Sequence, residues 1–458
     1  MGAIRILQVL AVIVGSQYAA AQTLEEIDIA DALEGFSGDH SSFYESGQDE
    51  SSSQMYPQAY LSGELSGHFS YAPIEHTTAA GYDVSGVTAM TTRLALSLDG
   101  RISPDWSFVL SGWAFYDSAY SLRGREDFSR ELRDEYEKEA ELGETFIRGK
   151  LSDDIDFSFG RQVVVWGKAD LLSVVDLWNP VDNRHPGLTD HTYARLPVWL
   201  TKVDLYPDPW QVSAIVSHEY RHGREPVIGH DFYPYDFAAP SWQDSGGFRE
   251  RSSAGLMVGR CFPSFDIDFY GGSFRKDVDN VGLNAAIVQR STMRISVFGF
   301  ALEKAIPHWL FKLEAAWVDG LQYYSLPGDE KNRLDVLLGA DYTGLKNTRV
   351  SLEIVERHLF DLDGETAARD DTPSRDALVW AFRFSRTFLR DRLNVLFLSY
   401  AGGYSFQEGS AQRISADYAV TDSLSLTAGL LLVHSGDNYL MRNAGDNDRI
   451  FFHLKYVF

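Results

Sequence analysis

Between residues 59 and 458, two kinds of connection take turns along the chain. Short connections rich in Pro, Asp, Gly or Asn fall at 99–105, 152–154, 207–209, 263–264, 306–308, 344–348, 389–391 and 421–423. Longer polar segments fall near 73–85, 121–138, 167–195, 221–247, 277–291, 321–330, 361–376, 403–411 and 435–447. Segments of alternating apolar and polar residues lie between them, each about ten residues long, which suits a tilted membrane strand. Eight short turns alternating with nine long segments separate eighteen strands. A soluble sandwich or propeller would space its strands similarly but without a regular short–long alternation, and no recurring repeat of roughly 20–50 residues is visible. An even strand number, with both ends of the chain on the short-turn side, predicts an all-β fold: a transmembrane antiparallel β-barrel of about 18 strands.

The two ends of the chain agree with this. At the C-terminus Ile450, Phe452, Leu454, Tyr456 and Phe458 alternate with Arg449, His453 and Lys455, and the chain stops on the aromatic residue. Period-two alternation means a strand with one face in an apolar medium. The pattern resembles the closing strand and assembly signal of a Gram-negative outer-membrane β-barrel, which implies the barrel-assembly machinery as a partner through the strand ending at Phe458; an edge strand of a soluble sheet is the plainer alternative. At the N-terminus, Arg5 precedes an apolar run over 6–14 and a small-residue stretch containing Ala19 and Ala21. This layout predicts a signal peptide over 1–21, with a mature start at Gln22. Residues 22–58 then form an acidic arm with nine Asp or Glu side chains and no Lys or Arg, read as flexible with a possible short helix at 24–33. The barrel is assigned to 59–458.

Composition narrows the function. The single cysteine, Cys261, excludes an intramolecular disulfide and any Cys-rich metal or haem scaffold. Mean hydropathy is −0.21, as expected when lumen-facing polar residues alternate with lipid-facing apolar ones. A net charge of −24 argues against a nucleic-acid partner and suits a neighbourhood of outer-membrane lipid and lipopolysaccharide.

Where alternation is clean, faces can be assigned. Val350, Leu352 and Ile354 share a face opposite Glu353 and Arg357; Leu378, Trp380, Phe382 and Phe384 oppose Arg383; Phe311, Leu313 and Trp317 oppose Lys312 and Glu314; Ile414 and Tyr418 oppose Arg413 and Asp417. A charge facing lipid costs about 2–4 kcal/mol at mid-depth. The expected pore lining is therefore Arg294, Lys312, Glu314, Glu353, Arg357, Arg383, Arg413, Asp417, Arg449, His453 and Lys455. In 155–166 the same parity would put Arg161 in lipid with Phe157 and Phe159, so a bulge near Gly160 or a strand end is expected.

The densest unusual stretch runs Gly160-Arg161-Gln162, then Trp166-Gly167, then Asn179-Pro180 and Asp182. This motif of about 25 residues resembles that of a widespread, poorly characterised family of proteobacterial outer-membrane barrels, and the arm's Glu34-Gly35-Phe36 and the terminal Phe458 fit it too. The resemblance implies a porin-like barrel or one working beside lipid exporters. Within the stretch, Leu171, Val174 or Val175 and Trp178 recur at helical spacing, predicting a helix over 168–178 ended by Asn179-Pro180. The loop could fold inward, so that Trp166, Lys168, Asp170, Asp176, Asn179, Asp182 and Arg184 constrict the pore, or pack on the rim.

Catalytic signals are poor. His218-Glu219 lacks the second His of a zinc helix, and His222, His230 and Asp231 read as a solvated loop rather than a metal site. Gly271-Gly272 and Gly402-Gly403 read as bulges or points of close packing. No catalytic residue, metal or cofactor is expected. The sequence thus predicts an outer-membrane channel of a Gram-negative bacterium passing small, anionic solutes. One rival is an accessory barrel handing lipid or apolar molecules to or from a periplasmic exporter; a weaker one is a barrel enzyme acting on outer-membrane lipid. The acidic arm either enters the lumen or stays solvated. Nothing in the sequence marks an oligomer face.

Overall fold

The computed structural model describes residues 58–78, 81–188, 194–233, 252–277, 292–323, 326–363, 373–445 and 447–458. Residues 1–21, read as a signal peptide, and nearly all of the stretch read as an acidic arm lie outside them.

Eighteen strands form one antiparallel sheet closed on itself: β1 Gln58–Thr77, β2 Asp83–Ser103, β3 Trp106–Asp117, β4 Lys138–Ser152, β5 Ile155–Gln162, β6 Val198–Leu205, β7 Gln211–Ser217, β8 Ala254–Phe262, β9 Phe265–Asp277, β10 Thr292–Ile306, β11 Trp309–Tyr323, β12 Leu326–Tyr342, β13 Thr348–Leu359, β14 Asp376–Phe388, β15 Leu393–Gly402, β16 Gly409–Ala419, β17 Leu424–His434 and β18 Arg449–Val457. Each strand pairs with its neighbours in sequence, and β18 pairs with β1. All eight short turns and most of the long connections fall where the sequence puts them; at 321–330, however, β11 runs on to Tyr323 and β12 resumes at Leu326, and 278–291 lies outside the described residues.

The seam is made by the chain's last residue. Gly63 N–H donates to the Phe458 carbonyl at 2.8 Å, and Phe458 N–H returns to the Gly63 carbonyl at 2.9 Å. A side chain at Gly63 would collide with the Phe458 ring, since a Cβ there would sit 2.3 Å from Cζ. Leu61, Leu65, Leu94, Leu96, Phe452 and Leu454 are exposed on the outer face. Tyr60, Trp210, Trp309 and Phe458 lie toward the short-turn end, and Tyr116 and Trp199 toward the long-loop end, as in the aromatic girdles of an outer-membrane barrel.

The wall is uneven. Strands β5 to β8 have 8, 8, 7 and 9 residues, whereas β1 and β2 have 20 and 21. β5 ends at Gln162 and keeps register with β4 through Gly160, the one shift between them lying at Lys150/Ser152 beside the short turn, so the strand-end alternative holds and there is no bulge near Gly160. Arg161 shares the outer parity of Phe159, but at the strand's end it reaches Glu141 and the Pro197 carbonyl. Gly160 has φ 139°, and a Cβ there would meet the Thr145 carbonyl at 2.4 Å, so glycine is required.

Long connections cap the open end. Helices α1 Ala119–Leu122 and α2 Arg130–Tyr136 follow β3. Ser129 caps α2 by accepting from Leu132 N–H at 3.1 Å. Tyr120, Leu132 and Tyr136 form a small apolar cluster with Phe128 and Val227. His222, His230 and Asp231 are not a solvated group. His230 is buried and stacks on Tyr136 with ring centroids 4.0 Å apart, Asp231 pairs with Arg449 at 3.1 Å, and His222 bonds Asp277 at 2.7 Å. Among the described residues no three His, Cys, Asp or Glu side chains form a metal-binding group.

Candidate functional site: the filled lumen

The connection between β5 and β6 folds into the barrel. Val164, Trp166, Leu171, Leu172, Val174, Val175 and Trp178 are buried in one cluster with inward residues of β9 to β17, including Ala301, Val355, Leu398 and Leu431. The inward alternative therefore describes where the segment lies; we call its described residues, 163–188 and 194–197, the plug. Trp166 packs on Trp178, Tyr270 and Phe274 with centroid separations of 5.1, 5.1 and 6.0 Å. Glycines make room for it: a Cβ at Gly255 would meet Trp166 at 2.6 Å, and one at Gly299 would meet Val175 at 2.9 Å.

The expected helix over 168–178 does not form. Its amide hydrogens are taken by carboxylates on the wall. Glu314 on β11 accepts from Lys168 N–H and Ala169 N–H at 2.5 and 2.9 Å. Glu353 on β13 accepts from Asp170, Leu171 and Leu172 N–H at 2.9, 2.9 and 2.8 Å. Both glutamates are fully buried. A charge-assisted bond of this kind outweighs the neutral helical bond it replaces, so tertiary partners override the local period. Further in, Trp166 N–H donates to Asp176 at 3.2 Å and Gly167 N–H to Tyr270 Oη at 3.2 Å.

The tip of the plug sits in a charged cluster close to the short-turn end. Asp170 Oδ2 receives Lys312 Nζ at 2.5 Å, lies within bonding range of Arg349, and is 3.6 Å from Arg383. Asp341 joins the cluster at 3.2 Å from Lys312 and 2.8 Å from Arg349. Lys168 pairs with Asp268 at 2.8 Å. Higher in the lumen Arg357 reaches the Ser173 carbonyl at 3.5 Å, Tyr400 Oη the Leu171 carbonyl at 3.5 Å, and Arg413 the Gly187 carbonyl at 3.2 Å.

The motif that carries the family resemblance builds the neck of the plug. Asn179 accepts from Val164 N–H at 2.8 Å and donates to the Gln162 and Leu196 carbonyls at 3.1 Å each, so the entering and leaving strands of the plug are tied together. Asp176 pairs with Arg195 at 2.8 Å. Asp182 and Arg184 pair with each other at 2.7 Å, and Arg184 and Arg224 both reach Glu139 on β4, at 2.8 and 2.5 Å.

Most of the expected lumen residues point inward. Lys312, Glu314, Glu353, Arg357, Arg383 and Arg449 are buried there. Arg413 lies 4.8 Å above the Phe451 ring, Asp417 accepts from Thr427 at 2.5 Å, His453 faces His68, and Lys455 is 3.5 Å from Glu64. Arg294 is the exception. Met293, Ile295 and Val297 face inward and are buried, which leaves Arg294 exposed on the outer parity, bonded to Ser273 and the Ser252 carbonyl at 3.3 and 3.0 Å. Beside the plug the lumen wall is apolar, so the rule that apolar means outward inverts there. The sequence also missed Arg349 and Asp341, which lie within three residues of short turns where strand parity had not been followed.

Residues 66–252 match a family described as protein of unknown function (DUF1302). The chain thus resembles an uncharacterised family of outer-membrane barrels. No curated protein sequence is significantly similar to it. Among solved structures, it is similar to Pseudomonas aeruginosa OpdK with vanillate, at 10% identity over 87% of this chain and 98% of that one, with a TM-score of 0.50. A second structure of that protein, an outer membrane protein, gives 10% identity over 88% and 99%, with a TM-score of 0.50. Acinetobacter baumannii OccAB2 matches at 10% identity over 87% and 98%, with a TM-score of 0.49. At 10% identity the likeness to OpdK is one of fold alone, that of an outer-membrane barrel.

Proposed function

We propose that the protein is an outer-membrane channel for small solutes in a Gram-negative bacterium, and that the plug fills its conducting path at rest. The carrying observation is the chain segment held within a closed barrel by Glu314 and Glu353. The barrel is hydrogen-bonded at every neighbouring strand pair, which supports passage along its axis rather than sideways into lipid. The inward Lys312, Arg349, Arg357, Arg383 and Arg413 favour anions, since charges in a narrow low-dielectric passage are little screened. The acidic arm joins β1 at the same end of the barrel as the plug tip and would add to the gate only by reaching that passage.

The test follows from the neck. Because Val164 and Asn179 are already bonded, residues 166–177 can be excised and bridged by Gly-Gly without reopening the barrel. In planar bilayers the excised barrel should conduct several-fold more than the intact one and prefer anions. Equal, near-zero conductance from both, with the barrel still folded, would falsify the channel reading.

A further inference from the structure

The polar tip of the plug is held differently from its body. Leu171, Leu172, Val174 and Val175 are buried in apolar wall, whereas Lys168, Ala169 and Asp170 are anchored by charge. Three cations, Lys312, Arg349 and Arg383, converge on one oxygen of Asp170. They come from three different strands, and Asp341 and Glu353 hold Lys312 from the wall side at 3.2 and 3.6 Å. The cluster is closed on that side: Lys312 and Arg383 are 1% and 0% exposed, but Arg349 and Asp170 are 31% and 33% exposed. The accessible edge lies at the short-turn end, because Arg349 is the second residue of β13 and Asp341 the next to last of β12. In an outer-membrane barrel that end faces the periplasm.

The geometry points to a carboxylate-binding site on the periplasmic side of the lumen, formed by Lys312, Arg349 and Arg383, in which Asp170 occupies the place of a solute's carboxylate. This rests on the channel reading and adds to it a substrate class and a side of entry. One carboxylate of a small organic acid exchanges for that of Asp170, so the three cations stay paired throughout. The bidentate fork of Arg349 suits a planar carboxylate. Exchange frees the Asp170 side chain while the amide bonds to Glu314 and Glu353 and the apolar body of the plug stay in place, so bound acid opens the passage less than excision does. A tethered competitor lowers the apparent affinity for a free one by the fraction of time the site is vacated.

Succinate is the probe, with succinamide as the uncharged control, on the full-length mature protein. Calorimetry should show succinate binding at least tenfold tighter to Asp170→Asn than to wild type, because the internal competitor is gone. Arg349→Gln, added to Asp170→Asn, should remove that gain, and succinamide should bind neither. In bilayers succinate should raise wild-type conductance from one side only, and by less than the excision of 166–177. Each variant is checked for the folded barrel by its heat-modifiable electrophoretic migration. Unchanged succinate affinity in folded Asp170→Asn, with the excised barrel conducting, overturns the site and leaves the channel standing. A silent excised barrel overturns the channel and with it this site's role.

Discussion

Phe458 closes the barrel through its backbone and covers Gly63 with its ring. A polar side chain there keeps the two hydrogen bonds but loses the apolar cover and the aromatic end of the strand. Phe458→Ser should therefore lower the outer-membrane level several-fold with synthesis unchanged, since a loss of about 1–2 kcal/mol is enough for that. Quantitative blotting of membrane fractions against pulse-labelled total protein checks it; wild-type abundance would show that the seam does not depend on the ring. Single residues also mark where the sequence could be read. Glu314 and Glu353 were legible as inward charges because each sits between lipid-facing apolar neighbours. What they bind was not, because the amides they accept from lie 146 and 183 residues away along the chain. Arg294 was misread for the reverse reason: its apolar neighbours face the plug instead of lipid.

Strands and short turns were legible as elements because the bilayer enforces period two on every strand, whatever the lumen holds. The plug was not, because its amphipathic spacing carries a helical period while its amides are satisfied by the wall. The cap over the long-loop end makes a separate prediction. Burial lowers the pKa of His185 and His230, which face each other at 5.2 Å, to about 3, with nearby Arg184 adding to the shift in both. Both rings are thus neutral in the folded cap, whereas in the unfolded chain they titrate near the usual 6.5. The stability this contributes is whole above pH 6.5 and is lost as pH falls toward 3, at up to about 1.4 kcal/mol per pH unit for each histidine. The urea midpoint of wild type should fall more between pH 7.5 and 5 than that of His230→Gln. Parallel pH profiles for the two would show that His230 protonates without disturbing the cap.

At the scale of the whole molecule, the low wall at β5 to β8 bears on the lipid around it. With a rise of roughly 3.3 Å per residue and a tilt near 40°, a strand of eight residues spans about 20 Å of membrane normal, less than the apolar band of about 25 Å. Most of the other strands are longer, and β18, with nine residues, is prolonged by the pairing of Phe458 with Gly63. On this one side the bilayer must thin, or the barrel must lean until its short flank is level with the hydrocarbon. Either response is easier in short acyl chains. Refolding into dilauroyl vesicles should be faster and more complete than into dioleoyl vesicles, by more than for a barrel of even height. Lengthening β6 and β7 by two residues each should narrow that gap, as read by tryptophan fluorescence during refolding. The flank from which the plug descends is then also the place where the protein presses the membrane into an asymmetric dimple, so that neighbouring lipids are sorted by length around a single side of the molecule.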